Sequence, residues 1–346
     1  MAHSTKLSIC IATFNRGAFI AQTLDSILSQ MQPSVEIIVV DGASPDNTQD
    51  VMNIYSTKFP IVRYFRESRN SGVDADYDKA VGYSTGEYCW LMTDDDLLCD
   101  GGLSKIIEVI DNDINLVIIN AKVKSANLLT DLNSRILPFH EDRTYRAGDE
   151  QKFFSEIGTY LSFIGCVIIK RSLWISRDRS SYFGSLFVHV GVIFQNPIIE
   201  NIYVIADQLI SIRWGNAMWS ARGFEIWMFK WPTLIWSFST YSDRRKNSVT
   251  PLEPWRFSKN LAFFRAVGVY TQVQYRTYIH SRTLGISRLL PFIIAYVPGK
   301  ILNTLISIYC LILNRNARAR IYDLARSKYS TRVSRSIASL LNIDHL

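Results

Sequence analysis

Apolar and polar positions in the first 120 residues follow two different periods. Short apolar runs predict strands, and the stretches between them space their apolar residues three and four positions apart, which predicts helices at 17–31, 48–59 and 102–111. Strands that alternate with helices are typical of a mostly parallel, twisted sheet flanked by helices. The predicted strands are 7–13, 35–40, 61–66, 87–92, 115–119, 163–169 and 202–214.

From residue 217 onward the pattern becomes helical and rich in tryptophan. No internal repeat and no low-complexity linker interrupts the chain. We therefore predict an α/β domain over residues 1–215 and a helical C-terminal region over residues 216–346.

Charge is distributed unevenly between these two parts. The whole chain carries a formal charge of +7. Residues 1–210 hold 18 basic and 26 acidic side chains, whereas residues 211–346 hold 20 basic and 5 acidic ones. A basic segment attracts phosphate groups, either of nucleic acid or of anionic lipid.

The five cysteines lie mostly in apolar runs and show no Cys-x-x-Cys spacing. This pattern predicts reduced thiols in a core and no zinc site. The first residues also lack the long apolar stretch of a secretory signal. We expect a cytoplasmic location.

Polar residues follow three of the predicted strands. Arg16 comes after the first strand and Asp41 after the second, while Asp94, Asp95 and Asp96 follow the fourth. In an open parallel sheet, the loops at the carboxyl ends of the strands form the ligand crevice. We therefore expect these three loops to meet in one site.

The acidic run allows two interpretations. Three adjacent carboxylates repel one another, so a positive group should lie among them, and Mg²⁺ or Mn²⁺ suits hard oxygen ligands of this type. The alternative is a solvated acidic loop before the N-terminus of helix 102–111.

Three segments, taken in this order and spacing, resemble the N-terminal half of the family 2 glycosyltransferases, which have the GT-A fold. The segments are SICIATFNR (8–16), VEIIVVDGASPDNT (35–48) and RNSGVDADYDKAVGYSTGEYCWLMTDDD (69–96). The details look most like bacterial O-antigen and capsule enzymes of the abequosyltransferase type. The resemblance implies inverting transfer of a sugar from a nucleotide-diphosphate sugar to an acceptor hydroxyl.

The resemblance also implies roles for individual residues around the nucleotide. It places Thr13, Asn15 and Arg16 against the nucleotide and gives Asp41 a hydrogen bond to the base. Gly42 stands where many relatives have a second aspartate, so the identity of the base stays open.

The same resemblance makes Asp94, Asp95 and Asp96 a metal-binding signature, with Mn²⁺ or Mg²⁺ bridging the two phosphates of the donor. Arg69 and Asp76 are further candidates, the first for a phosphate and the second for ribose or the donor sugar. The alternative for the acids near Asp76 is a structural role at the start of a helix that runs to residue 83.

An inverting transfer also needs a base that takes the proton of the acceptor hydroxyl. Relatives often carry an acidic pair for this purpose, but His189 occupies the corresponding place here. A histidine with its usual pKa of about 6.5 can serve as a base near neutrality. The alternatives are a buried structural histidine, or Asp178 or Asp207 as the base.

Arg213 and Trp219 follow the last predicted strand and are candidates to close over the donor. A guanidinium suits a diphosphate, and a tryptophan face suits a sugar ring.

Residues 286–313 are strongly apolar but contain Pro291, Pro298 and Lys300. A spanning helix needs about 20 predominantly apolar residues, so we predict interfacial helices whose flanking arginines bind an anionic membrane surface. A helical pair that packs on the catalytic domain or in a homodimer is the alternative. At the inner membrane face, the acceptor would be a lipid-linked saccharide such as a polyprenyl-diphosphate oligosaccharide.

Three other functions are alternatives to glycosyl transfer. A metal-dependent nucleotidyltransferase would need a glycine-rich triphosphate loop, for which the first loop offers only Arg16 and Gly17. A nucleic-acid-binding protein would set the converging acids against a polyanion, so we expect no nucleic acid partner. A non-catalytic glycosyltransferase-like assembly partner would not need the acidic motif, which is intact.

Overall fold

The computed structural model describes residues 5–217, 221–313 and 317–343. The chain folds into two compact units. The first unit comprises Met1–Lys122, Arg135–Ile212 and Phe238–Arg245, and the second comprises Val123–Ser134, Arg213–Ser237 and Lys246–Leu346.

One mixed sheet forms the centre of the first unit, in the order β3-β2-β1-β4-β9-β6-β10-β5. β1 to β4 run parallel to one another, and β9 is antiparallel to both of its neighbours. The strands are β1 (Leu7–Thr13), β2 (Val35–Asp41), β3 (Val62–Arg66), β4 (Tyr88–Met92), β5 (Leu97–Leu98), β6 (Leu116–Lys124), β7 (Asp131–Asn133), β8 (Arg143–Tyr145), β9 (Val167–Lys170) and β10 (Ile202–Arg213).

Helices connect the parallel strands. Every residue of β1, β2 and β4 is buried, as expected for strands whose two faces are both covered. The helices of this part of the chain are α1 (Ile20–Leu28), α2 (Thr48–Lys58), α3 (Val73–Tyr83), α4 (Gly102–Ile110), α5 (Glu150–Ile157), α6 (Arg171–Ser176) and α7 (Val188–Phe194).

The predicted α/β fold is confirmed, and most predicted strands end within one or two residues of the observed ones. The prediction for 163–169 is wrong at its start, because Ile164–Cys166 forms a 3₁₀ turn and β9 begins only at Val167. This turn directs the Gly165 carbonyl to the indole N–H of Trp90, at 2.7 Å. All five cysteines are free thiols.

The second unit is mainly helical. A continuous helical stretch runs through α8 (Gly223–Glu225), a π-helical segment at Ile226–Lys230 and α9 (Trp231–Ser237). The following elements are α10 (Asp243–Val249), α11 (Ser258–Val267), α12 (Gln272–Gln274), a π-helical segment at Tyr275–Ile279, α13 (Leu289–Tyr296), α14 (Gly299–Leu313), α15 (Arg318–Arg326) and α16 (Arg332–Leu340).

An aromatic core holds these helices together. Phe224 stacks on Tyr270 with ring centroids 4.7 Å apart, and Met228, Trp255 and Ile279 belong to the same buried cluster. The tryptophan-rich sequence thus supplies packing surface for these helices.

Within the described residues, no individual helix combines the length and the apolar character that crossing a bilayer requires. Gly285–Tyr296 and Gly299–Ile312 meet these requirements only when taken together, and they are bent by 94° relative to each other.

Candidate active site

The loop after β1 is fastened to the loop after β2. Thr13 and Asp41, the last residues of the two strands, are directly paired in the parallel register. Beyond them, three backbone N–H groups of the first loop donate to side chains of the second: Asn15 to Ser44 Oγ at 2.9 Å, Arg16 to Thr48 Oγ1 at 3.0 Å and Gly17 to Asp46 Oδ2 at 3.1 Å.

Arg16 joins these loops to the acidic run. Its guanidinium lies 3.5 Å from Asp94 Oδ1 and 3.5 Å from Asp95 Oδ2, and the two aspartate side chains are only 14% and 13% exposed. The predicted convergence of the three loops is therefore confirmed. Arg16 therefore provides part of the positive charge that we expected among the carboxylates.

The electrostatics of this pair reflect crowding. Burial and the neighbouring Asp95 raise the pKa of Asp94 to about 7, although Arg16 and Thr13 act in the opposite direction. One guanidinium thus does not fully offset two adjacent carboxylates in a poorly hydrated loop. A further positive charge would stabilise their ionised forms.

Asp96 does not share this environment. It is buried, and its carboxylate accepts a hydrogen bond from Thr93 Oγ1 at 2.5 Å, while its backbone carbonyl accepts one from Thr23 Oγ1 at 2.8 Å. The backbone carbonyl of Asp96 thus holds α1 against the loop, and the role of its carboxylate as a metal ligand stays a prediction.

The fit of this site to a divalent cation rests on its carboxylates, of which Asp94 and Asp95 are the two that lie against Arg16. No cluster of three or more His, Cys, Asp or Glu side chains suited to a metal occurs among residues 5–217, 221–313 and 317–343. Mg²⁺ commonly takes only one or two carboxylates from a protein and its remaining ligands from phosphates and water. Two carboxylates with one raised pKa fit that mode of binding.

Asp41 is fully buried at the end of β2. One carboxylate oxygen accepts hydrogen bonds from the Ser44 N–H and hydroxyl at 2.8 and 2.6 Å. The other accepts from the Tyr64 hydroxyl at 2.7 Å and lies 3.6 Å from Arg66 Nε. The carboxylate predicted to read the base is thus occupied by neighbours within the protein.

Asp76 lies beside Gly42, directly after Asp41. Its Oδ1 accepts a hydrogen bond from Ser71 Oγ at 2.6 Å and lies 3.6 Å from Lys79 Nζ. Burial raises the pKa of Asp76, while Ser71 and Lys79 act to lower it. The structure therefore brings this predicted residue to the same edge of the sheet as Asp41.

The two other aspartates of α3 have structural roles. Asp74 accepts hydrogen bonds from the backbone N–H groups of Gly184, Leu186 and Val188 at 2.8, 2.9 and 3.0 Å. Asp78 accepts from Trp174 Nε1 at 2.8 Å and pairs with an arginine of the following loop. Together they clamp the segment between α6 and α7 to α3, which bears out the structural alternative for these acids.

The structure does not present His189 to an acceptor. The imidazole is buried in α7, its Nε2–H donates to the Leu161 carbonyl at 2.7 Å, and Nδ1 is enclosed without a partner among the described residues. Burial lowers the pKa of His189 to about 4. The geometry corrects its prediction as the base, because no acceptor hydroxyl can reach either nitrogen in this conformation.

The two alternative bases are both exposed. Asp178 accepts hydrogen bonds from Ser180 Oγ and the Ser181 N–H, each at 3.2 Å, and these bonds lower its pKa. Asp207 lies on β10. Both carboxylates are therefore accessible from solvent.

The remaining predicted residues have different surroundings. Arg69 is exposed and has no ion pair or hydrogen bond among the described residues, so its guanidinium is available to a ligand. Arg213 is buried and donates to the Ala126 carbonyl at 2.8 Å, which gives it a structural contact in place of the predicted diphosphate contact. Trp219 lies outside the described residues.

Sequence reasoning missed the residues that fasten the loops, chiefly Ser44, Asp46 and Thr48. Their signal was present as the run Asp-Gly-Ala-Ser-Pro-Asp-Asn-Thr after β2, since Asp, Ser and Thr side chains often bond to nearby backbone N–H groups. What the sequence did not reveal was that the N–H groups would come from the loop after β1.

Comparison with known proteins identifies the family. Residues 8–173 match the family model "Glycosyl transferase family 2". This segment belongs to the family 2 glycosyltransferases. The match confirms the family and the enzyme class that the sequence motifs predicted, and it includes β1 to β4 and the acidic pair.

Two relatives illustrate the range of similarity. Abequosyltransferase RfbV of Salmonella typhimurium is 27% identical over 232 residues, which cover 63% of this chain and 69% of that protein. The GalNAc(5)-diNAcBac-PP-undecaprenol beta-1,3-glucosyltransferase of Campylobacter jejuni is 30% identical over 104 residues, which cover 30% of this chain and 34% of that protein. In this second comparison, the aligned residues thus cover about a third of the relative's length.

The fold is also found among solved structures. S. aureus TarS 1-349 in complex with UDP-GlcNAc aligns with a TM-score of 0.55 and 18% identity, covering 99% of this chain and 93% of that chain. At this identity the likeness shows the fold alone.

Proposed function

We propose that this family 2 glycosyltransferase moves a sugar from a nucleotide-diphosphate sugar to a hydroxyl of a saccharide acceptor in bacterial surface polysaccharide synthesis. The observation that carries the proposal is the group formed by Arg16, Asp94 and Asp95 where the loops after β1 and β4 meet. The similarity to an abequosyltransferase and to a transferase named for an undecaprenol-diphosphate substrate supports a lipid-linked acceptor.

The acidic pair is proposed to bind the diphosphate through Mn²⁺ or Mg²⁺. When bound, such a cation would offset the negative charge that develops on the diphosphate leaving group. Asp94, Asp95 and Asp96 would hold it from the protein side, and the exposed Arg69 would contribute a second positive charge to the phosphates.

We assign the base to Asp178. The segment that contains it is clamped to α3 by Asp74 and Asp78, and α3 begins at the nucleotide edge of the sheet. Asp178 is exposed, and its carboxylate would accept the proton of the acceptor hydroxyl during a single inverting displacement. We expect Asp178→Asn to reduce kcat at least 100-fold and Asp207→Asn to leave it within threefold, and the opposite ranking would move the base to Asp207.

The first experiment is isothermal titration of the full chain with UDP, dTDP, CDP and GDP, each with and without Mn²⁺, because it needs no acceptor. We expect one nucleotide to bind in a metal-dependent way. Asp95→Ala should abolish this binding, whereas Asp100→Ala, which removes an exposed carboxylate just beyond the acidic run, should retain it.

Two results would contradict the proposal. Binding that is unchanged in Asp95→Ala would separate the acidic pair from the donor. Absence of binding to all four nucleotides in a folded sample would favour the non-catalytic assembly partner.

We further propose that α13 and α14 attach the protein to the anionic inner face of the cytoplasmic membrane. Both helices expose large apolar side chains to solvent. The exposed residues are Ile286, Leu289, Leu290, Phe292, Ile293 and Tyr296 in and before α13, and Ile301, Leu305, Ile308, Tyr309 and Ile312 in α14.

The charge around these helices supports an anionic lipid surface as the occupant. Residues 254–322 contain ten lysines and arginines but no aspartate or glutamate. Lys300, at the start of α14, is exposed beside the apolar side chains. Apolar insertion combined with surrounding cations is the arrangement that binds anionic interfaces.

Flotation with phosphatidylcholine vesicles, with and without 30 mol% phosphatidylglycerol, tests this attachment. Ile286 is 89% exposed in the proposed face and Leu129 is 78% exposed in the turn between β6 and β7, so Leu129→Glu is a matched control for Ile286→Glu. We expect only Ile286→Glu to weaken binding to the anionic vesicles, by about fivefold or more. Equal vesicle binding of both variants would argue against this face as the membrane contact. If the wild type forms a concentration-dependent dimer and Ile286→Glu is a monomer, the face belongs to a homodimer interface instead.

A further inference from the structure

We propose that Asp76 determines which donor the site accepts, by accepting a hydrogen bond from the nucleoside part of the donor beside Gly42. This inference rests on the proposed function, since it requires a nucleotide-sugar donor. It concerns a single carboxylate oxygen, Oδ2 of Asp76.

The first observation is the close approach of Asp76 to β2. A Cβ atom added to Gly42 would lie 2.8 Å from Asp76 Oδ2 and 3.6 Å from Asn70 Oδ1. Real Cβ atoms do not approach an oxygen this closely, so glycine at position 42 and the carboxylate at position 76 depend on each other. The Asp76 carboxylate thus occupies the place that a side chain on residue 42 would take.

The second observation is the difference between the two oxygens of Asp76. Oδ1 is held by Ser71 and lies near Lys79, whereas Oδ2 has no hydrogen-bond partner among the described residues. The residue is only 3% exposed. Oδ2 is not among the enclosed side-chain atoms that lack a partner, so this oxygen is accessible and can accept a hydrogen bond from a ligand.

The third observation concerns the neighbouring aspartate. Both oxygens of Asp41 are occupied, by Ser44 on one side and by Tyr64 and Arg66 on the other. Of the two carboxylates at this end of β2, Asp76 is therefore the one with an oxygen free to meet a ligand.

The chemistry of a carboxylate limits what this ligand can be. An ionised carboxylate accepts hydrogen bonds and donates none. It suits the imide N–H of uracil or thymine, and it also suits a ribose hydroxyl. A contact at this ring nitrogen distinguishes uracil from cytosine, because cytosine has a lone pair there and donates only through its exocyclic amino group.

A purely structural role for Asp76 is the competing explanation, since an acid in the first turn stabilises a helix. The chain offers a matched control. α2 and α3 each have 11 residues, and α2 carries Asp50 in its first turn, where Asp50 is exposed. Asp50→Asn therefore removes the same type of charge from a similar helix.

The test is isothermal titration of the full-length protein, as wild type, Asp76→Asn and Asp50→Asn, with UDP, 2′-deoxy-UDP and CDP in the presence of Mn²⁺. We expect Asp76→Asn to weaken UDP binding at least tenfold, as for the loss of a hydrogen bond to a charged group, and Asp50→Asn to stay within twofold. If the base donates the hydrogen bond to Asp76, the wild type binds UDP more tightly than CDP, and this preference is smaller in Asp76→Asn. If the ribose 2′-hydroxyl donates the hydrogen bond to Asp76, the wild type binds 2′-deoxy-UDP as weakly as Asp76→Asn binds UDP.

Several outcomes would overturn the inference. Wild-type affinity in folded Asp76→Asn for all three nucleotides would reduce Asp76 to a helix residue and leave the proposed function standing. Failure of the wild type to bind any nucleotide would overturn the proposed function and this inference with it. If Asp76→Asn does not fold, Gly42→Ala tests the same contact from β2, where weaker UDP binding supports the inference and unchanged binding refutes it.

Discussion

At the residue scale, the central feature is a charge group that the protein only partly compensates. Asp94 and Asp95 follow a fully buried strand, and Arg16 reaches them from the loop after β1. The raised pKa of Asp94 shows that burial and mutual repulsion outweigh this one guanidinium. A site prepared in this way favours the arrival of further positive charge.

This view predicts coupling between Arg16 and Asp94. Arg16→Gln should lower the free energy of unfolding by about 1–2 kcal/mol, because two nearly buried carboxylates lose their partner. In the Asp94→Asn background, the same substitution should have a smaller effect, since the repulsion is already gone. Urea unfolding of the four proteins of this double-mutant cycle measures the difference, and additive effects would argue against the coupling.

A second residue-scale prediction concerns His189, whose pKa burial lowers to about 4. The unfolded chain binds the proton below pH 6.5 while the folded protein does not, so this group makes stability fall as the pH drops from 6.5 towards 4. The loss at pH 5 is about 2 kcal/mol.

Urea unfolding at pH 7.5 and pH 5 checks this value. The stability gap between wild type and His189→Gln should narrow by about 2 kcal/mol at the lower pH, because the variant lacks the titrating group. A gap that does not change with pH would show that His189 is protonated normally and accessible. Turnover of a folded His189→Gln close to wild type would confirm its structural role.

At the element scale, α3 positions much of the candidate site. Its first turn contributes Asp76, the hydroxyl of Tyr77 donates to the Met92 carbonyl at the end of β4, and Asp74 and Asp78 hold the segment before α7. The sequence predicted that these acids open a helix. It did not predict that two of them would bind a segment about 100 residues further along the chain.

The Asp74 clamp gives an element-scale prediction. Asp74→Ala would leave the N–H groups of Gly184, Leu186 and Val188 without their acceptor, so we expect a loss of about 3 kcal/mol or more in the free energy of unfolding. Asp50→Ala, at the first turn of α2, should cost less than about 1 kcal/mol. Chemical denaturation of both variants provides the measurement, and equal losses would mean that the three hydrogen bonds add little.

Another element-scale prediction concerns the contact of α15 with Trp214. Asp323 accepts a hydrogen bond from Trp214 Nε1 at 2.8 Å, yet burial raises its pKa to about 7. The folded protein therefore binds the proton more tightly than the unfolded chain, and this group lowers stability as the pH rises from about 4 to 7. The thermal midpoint of Asp323→Asn should exceed that of wild type at pH 8 by more than at pH 5, and a constant difference would contradict the raised pKa.

At the scale of the whole molecule, opposite charges belong to different parts of the chain. Acidic residues prevail before residue 210 and basic residues after it. The proposed membrane attachment combines this basic surplus with exposed apolar side chains, and the two contributions respond differently to salt.

This difference gives the last prediction. Raising NaCl from 50 to 500 mM should strongly reduce binding of the wild type to phosphatidylglycerol-containing vesicles, because salt screens the basic residues. Binding should not vanish, since apolar insertion is not screened. Salt-independent flotation would remove the electrostatic part of the proposal, and complete loss at 500 mM would remove the apolar part.

The sequence by itself determined the order and type of the elements and the motifs at their ends. The apolar run of β1 and the spacing of α1 are local patterns, because strand and helix periods depend on residues that are close together in the chain. The acidic run after β4 was visible for the same reason, and with it the family.

Only the tertiary structure decided which side chains are available to a ligand. Asp41 is occupied by Tyr64, which lies 23 positions away, and His189 by Leu161, which lies 28 positions away. Asp76 keeps a free oxygen because residue 42 happens to be glycine. Hydrogen-bond partners and burial arise when distant segments pack together, so a linear pattern names the candidates for a site and the fold selects among them.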